Sequence, residues 1–197
     1  MKNLLQISAS LLGAFLLTAT TLNADDHKSG VAVYKNDAVH SGVTFKIRHF
    51  FTKVPGSFGG FSGEIHFDKD HLDKSKAVAT IDLTTVDTNN GSRDGHLQNE
   101  DFFNTSEFPE AKFVSTKFEE SGEMKYKIHG DLTILGMTKP VVLDAEFLGE
   151  GPGRNGAVIM GWDAMATFDR RDWGLEYGQG VVGNDVEVSL NLQAKKQ

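Results

Sequence analysis

The chain has 197 residues, 27 acidic against 20 basic side chains, a formal net charge of −7 and no cysteine. That balance argues against nucleic acid as a partner, which calls for a basic footprint. The lack of cysteine excludes disulfides and thiolate metal ligands, so stability must rest on the core and the backbone ladder.

The first residues read as a leader rather than as part of a fold. Lys2 gives a positive start, residues 4–17 are a short apolar run, and Leu22-Asn23-Ala24 ends small before the polar Asp25-Asp26-His27-Lys28. This pattern predicts a secretory signal cleaved after about residue 24 and a mature domain over residues 25–197. The run is short for a membrane span. Its removal takes away one lysine and no acid, so the mature chain is one unit more acidic. The expectation is an exported protein, periplasmic in a Gram-negative source, with no stable membrane span.

Beyond the leader, apolar and polar residues alternate in segment after segment. Val43, Phe45 and Ile47 alternate with Thr44, Lys46 and Arg48; Val188, Leu190 and Leu192 alternate with Glu187, Ser189 and Asn191. Successive strand side chains point to opposite faces, so each segment has one dry and one wet face. The expected strands are 31–35, 39–51, 58–68, 76–87, 111–119, 123–135, 140–149, 157–168 and 185–194. Turns are expected at Asn36-Asp37, Pro55-Gly56, Glu120-Ser121-Gly122, Gly136 and 149–156. Residues 88–109 break the alternation; Asn90 or Ser92 can cap a short helix with Asp94 in its first turn. The fold class is therefore all-β: about eight or nine antiparallel strands in up-and-down order, closed on themselves with the dry faces inward, and one short α-helix.

The dry face also carries small residues, namely Ser41, Gly63, Ala77, Ala79, Gly130, Ala145, Ala164 and Ala166. Eight strands enclose just enough space for packed side chains or one small ligand. Parity alone leaves a hollow and a filled barrel both open. On the same parity His49 points inward with Phe45 and Ile47, His40 points outward, and Trp162 and Phe168 point inward.

Catalytic and metal motifs are missing from the sequence. Gly151-Pro152-Gly153-Arg154-Asn155-Gly156 has the spacing of a dinucleotide fingerprint, but a strand pattern follows it where a helix is required. Asp68, Asp70 and Asp73 lack the spacing of a calcium loop. No metal site and no cofactor are expected. Two sequon matches, at Asn90 and Asn104, are short enough to arise by chance. The densest polar groups are Arg93, Asp94 and His96, read as a salt-bridged helix start, and Asp169-Arg170-Arg171-Asp172-Trp173-Gly174, read as a turn.

A series of blocks runs through the chain: His40-Ser41-Gly42-Val43-Thr44-Phe45 with His49, Gly56-Ser57-Phe58, Phe61-Ser62-Gly63, Arg93-Asp94-Gly95-His96-Leu97 and Asp101-Phe102-Phe103. Phe108-Pro109-Glu110-Ala111-Lys112-Phe113, the run from Gly130 to Val141, and Phe168-Asp169-Arg170 with Trp173-Gly174 follow. Together and in this order the blocks resemble the YceI family of polyisoprenoid-binding proteins. The resemblance implies an extended antiparallel eight-stranded lipocalin-like barrel with a short helix at one end, which holds a long isoprenoid or other lipid-like amphiphile, with a homodimer among its implied states and no established reaction.

The resulting expectation is an exported lipid binder or carrier, not an enzyme. Its tail would lie along Phe45, Ile47, Phe67, Leu83, Phe113, Leu132, Ile134 and Trp162, near Phe102 and Phe103. His49, Arg93 and Arg170 would meet the head group, since arginine binds phosphate or carboxylate bidentately. Two alternatives stand beside it: an enzyme acting on a lipid or quinone-like molecule with His96 or His49 as base, and a filled barrel serving as a stress or interaction module.

Overall fold

The computed structural model describes residues 31–197, and the expected leader lies outside the described residues. The strands are β1 (Val33–Asn36), β2 (Gly42–His49), β3 (Thr52–His66), β4 (Lys76–Asp87), β5 (Glu110–Gly122), β6 (Lys125–Ile134), β7 (Met137–Pro152), β8 (Val158–Asp169) and β9 (Val182–Lys196). A short helix, α1 (Gly91–Leu97), follows β4.

From β2 to β9 each strand pairs antiparallel with the next in the chain, and β9 returns to pair with β2 through Val43↔Leu190 and Phe45↔Val188. β1 pairs antiparallel with the same two neighbours, β3 and β9. It is therefore the lower half of one interrupted strand whose upper half is β2, and nine strands fill eight positions of a closed barrel. At the interruption the Asp37 carboxylate accepts from Lys195 Nζ at 2.9 Å, from the Val39 N–H at 3.1 Å, and faces His40 Nδ1 at 3.1 Å. Lys195 first, and His40 after it, hold this carboxyl well below the usual range.

Alternation places the two faces as the sequence dictates. Val43, Phe45, Ile65, Leu83, Phe113, Ile128, Leu132 and Trp162 are buried. The outer face carries exposed pairs such as Lys127–Asp144 at 2.7 Å and Lys117–Glu119 at 2.6 Å, each worth little in water.

Two turns fall elsewhere than the sequence suggests. The β2–β3 turn is at Phe50-Phe51, with Phe50 at φ 48°, and Pro55-Gly56 lie inside β3 opposite Lys46 and Phe45. Pro55 is tolerated because β3 extends there past its last pair with β4, Ser57↔Asp87, and forms an edge. Gly56 is a seat rather than a turn: a β-carbon there would collide with the Phe45 ring. Likewise the β5–β6 turn is at Glu123-Met124, with Met124 at φ 58°, while Gly122 lies in β5 beside a register shift.

Asn90 is the helix cap, accepting from the Arg93 N–H at 3.0 Å. Asp94 ties α1 to the end of β4: it accepts from the Thr88 N–H at 2.8 Å and from the Thr88 hydroxyl. The Thr88 hydroxyl, then the neighbouring N–H groups and Arg93, hold the Asp94 carboxyl below its ordinary value.

Two predictions follow from these contacts. Gly56→Ala should lose about 1–3 kcal/mol of stability by overpacking, measured by denaturant unfolding, whereas Gly42→Ala, where a β-carbon meets nothing within 4 Å, should stay near the starting value. Because Asp94 titrates lower folded than unfolded, its contribution is complete above about pH 4 and fades as pH falls toward the folded value. Unfolding midpoints of the protein and of Asp94→Asn should therefore differ most above about pH 4 and converge below it.

Candidate functional site

The upper half of the barrel is hollow. Inward residues of the strands enclose a cavity of about 630 Å³, walled by Val43, Phe45 and Ile47 on β2, Phe58 on β3, Ile81 and Leu83 on β4, Ala111 and Phe113 on β5, Leu132 and Ile134 on β6, Ala164, Ala166 and Phe168 on β8, and Val186 and Val188 on β9. This volume is in the ordinary range for small-molecule sites. A packed interior does not describe this barrel.

The cavity reaches the surface at the end where α1 sits. Its rim is built by Arg93 and His96 of α1, Phe102 and Phe103 of the following loop, the exposed His49, Leu175, Tyr177 and Val181 from the strap between β8 and β9, and Val182 at the start of β9. The His96 ring stands edge-on to Phe102 and Tyr177, with centroids 5.1 and 5.0 Å away, and those two rings meet at 5.2 Å. Nε2 of His96 lies 2.8 Å from the Asp101 carboxylate. This cluster joins the helix side of the rim to the strap.

Both arginines named from the sequence line the cavity, in different states. Arg93 is exposed; its Nε donates to the Thr88 hydroxyl at 2.7 Å and its Nη2 to the Thr88 carbonyl at 2.8 Å. Arg170 is 3% exposed. Its Nε donates to the Gly183 carbonyl at 2.9 Å and its Nη1 to the Leu175 carbonyl, so it pins the strap to the barrel. Nη2 of Arg170 is buried with no hydrogen-bond partner among the described residues. Burial pulls its pKa down, but a guanidinium stays charged. The adjacent Asp169 does not pair with it: its Oδ1 accepts from Nε of Arg171 at 3.0 Å, and this pairing lowers the Asp169 pKa to about 2. Trp173 closes the turn, donating from Nε1 to the Leu132 carbonyl at 3.0 Å.

Of the residues singled out in the sequence, Phe45, Ile47, His49, Leu83, Arg93, Phe102, Phe103, Phe113, Leu132, Ile134 and Arg170 line this cavity. Phe67 and Trp162 do not. They form the floor at the other end of the barrel, 4.8 Å apart between ring centroids, with Phe147 and Tyr126 at 5.1 and 5.5 Å from Phe67. Their inward parity is as expected, but parity carries no information about height along the axis. Gly130 also departs from expectation: the Phe113 ring occupies the place of its missing side chain. The sequence reading passed over the strap residues Leu175, Tyr177 and Val181, whose signal was an apolar content unusual for a loop. Among the described residues no three of His, Asp and Glu gather closely enough to hold a metal ion.

A deep apolar chamber with cationic donors at one end is suited to an amphiphile, its tail inside and its polar end at the rim.

Comparison with known proteins agrees with this architecture. A UPF0312 protein of Shewanella denitrificans is 36% identical over 190 residues, covering 96% of this chain and 97% of that one. The crystal structure of the Campylobacter jejuni YceI protein superposes with a TM-score of 0.69 at 31% identity, over 77% of this chain and 91% of that one. A polyisoprenoid binding domain from Saccharophagus degradans, implicated in plant cell wall breakdown, shares the fold at a TM-score of 0.65 and 17% identity, over 85% of this chain and all of that one. The YceI-like domain model matches residues 34–194, from β1 into β9, and the chain belongs to that family.

Proposed function

We propose that this chain is an exported, periplasmic carrier that holds one long isoprenoid or acyl amphiphile inside its barrel. The observation that carries this reading is the apolar cavity of about 630 Å³ that reaches the surface beside the exposed Arg93 and has the buried Arg170 in its wall. Moving a tail from water into such a space is worth about 25 cal/mol per Å² before the cost of ordering it. Membership of the YceI-like family and the fold shared with a polyisoprenoid binding domain support the choice of ligand class. The leader-like residues 1–24 support export.

The polar end belongs toward the rim, where the exposed Arg93, with the buried Arg170 in the wall, favours a carboxylate or phosphate over a neutral head. His49 lies on the same rim.

Native mass spectrometry of the protein exported in its source host, followed by organic extraction, tests the reading and reports the oligomeric state as well. A discrete mass at about one ligand per chain, identified as prenyl or acyl, is expected. An unliganded mass that incubation with prenyl and acyl lipids leaves unchanged overturns it. For the head group, Arg93→Ala should weaken an acidic amphiphile about tenfold or more, the size of one charged hydrogen bond, and leave the alcohol of the same tail almost unaffected, whereas Arg170→Lys, which also loosens the strap, should weaken both and the acid more. Equal losses for the acid and the alcohol would place the head elsewhere.

A further inference from the structure

Below the main cavity lies a second void of about 50 Å³. The two chambers share six wall residues, Phe61, Ala79, Phe113, Leu143, Ala164 and Leu190, each from a different strand. These six form a waist. The neighbouring inward residues sort on either side of it: Leu132 lines the chamber above and Ile128 the one below; Val188 lies above and Leu192 below; Ile81 above and Ala77 below.

On β6 the inward position between Leu132 and Ile128 is Gly130, and at this level the Phe113 ring lies where a β-carbon would stand. The waist thus carries Phe61, Leu143 and Leu190 and, between β5 and β6, the Phe113 ring folded over a glycine. On the β4 and β8 sides the wall is open, with alanines at positions 79 and 164. Beneath it, Gly63, Ala77, Ala145 and Ala194 line the lower void, with Trp162 in its wall. Space for the end of a tail exists there, on the far side of the ring.

We propose that Phe113, seated over Gly130, is the stop that sets the length of tail this barrel accepts. This inference rests on the reading of the cavity as a tail-binding site and adds its specificity determinant. A tail entering from the rim gains affinity with each carbon buried until it meets the ring. Longer tails leave their excess at the rim and gain nothing more.

The test is the affinity of a homologous series of saturated fatty acids, from about eight to about twenty-four carbons, measured by displacement of a fluorescent fatty acid. Each buried methylene is expected to tighten binding about fourfold up to a break, beyond which the curve is flat. In Phe113→Ala the two chambers merge, and the break should move several carbons longer. Phe113→Leu, which keeps more of the core volume, should move it in the same direction by less and guards against loss of the fold in the alanine variant. In Gly130→Ala the new methyl takes the seat of the ring and also meets the Val114 carbonyl at 2.7 Å, so the barrel should lose stability and, in the folded fraction, the ring driven toward the lumen should move the break to shorter tails. A break unmoved in both Phe113 variants, or its absence in the unmodified protein, overturns the stop while tail binding stands. Failure of every chain length to bind the unmodified protein overturns the carrier reading, and the stop with it.

Discussion

The joint between the first and last strands is the constraint on which the rest of the structure depends. A sheet of eight alternating strands left open would hold one apolar face against water and two unpaired edges. Pairing β9 with β2 removes both problems at once. It also fixes the circumference, and with it the width available inside. At eight positions that width is marginal between packing and hollow, so the choice passes to single residues. Ala79, Ala164 and Ala166 leave the upper half open, whereas Phe67, Tyr126, Phe147 and Trp162 fill the lower end.

The polar groups at the rim divide structural from receptive work between sequence neighbours. Asp169 spends its charge on Arg171 at the surface, and that pair holds the turn after β8. Arg170, between them, turns inward and holds the strap through two backbone carbonyls. Its Nη2 has no hydrogen-bond partner among the described residues, and the carboxylates of Asp169 and Glu176 act on it without bonding to it, so burying this guanidinium is costly. Under the proposed function an acidic head group would offset that cost, and one side chain would both shape the mouth and attract a ligand of the right sign.

Periodicity of two was legible in the sequence because it is a property of single strands, and the bounds of β4 were read without error for that reason. The short helix was legible through Asn90, an ordinary cap. The turns at Phe50-Phe51 and Glu123-Met124 were not, because left-handed backbone there is carried by Phe50 and Met124 rather than by glycine or asparagine. Conversely, Gly56 and Gly130 look like punctuation or empty space in sequence, yet each is a place where an aromatic from the next strand lies down. Site residues were legible as far as parity reaches. Phe113 and Trp162 share that parity, and only the register of the closed barrel shows that one stands at the waist and the other in the floor. The strap was illegible because its role depends on Arg170 reaching Gly183 and Leu175, contacts with no periodic signature.

The joint has a consequence for access as well as for shape. Because β9 is paired along both sides, to β8 and to β2, the wall has no seam through which the cavity could open sideways. At the far end Phe67, Tyr126, Phe147 and Trp162 stop the lumen. At the near end His96, Phe102 and Tyr177 hold the strap against the helix. The barrel is thus a blind tube, and the space between helix and strap is its mouth.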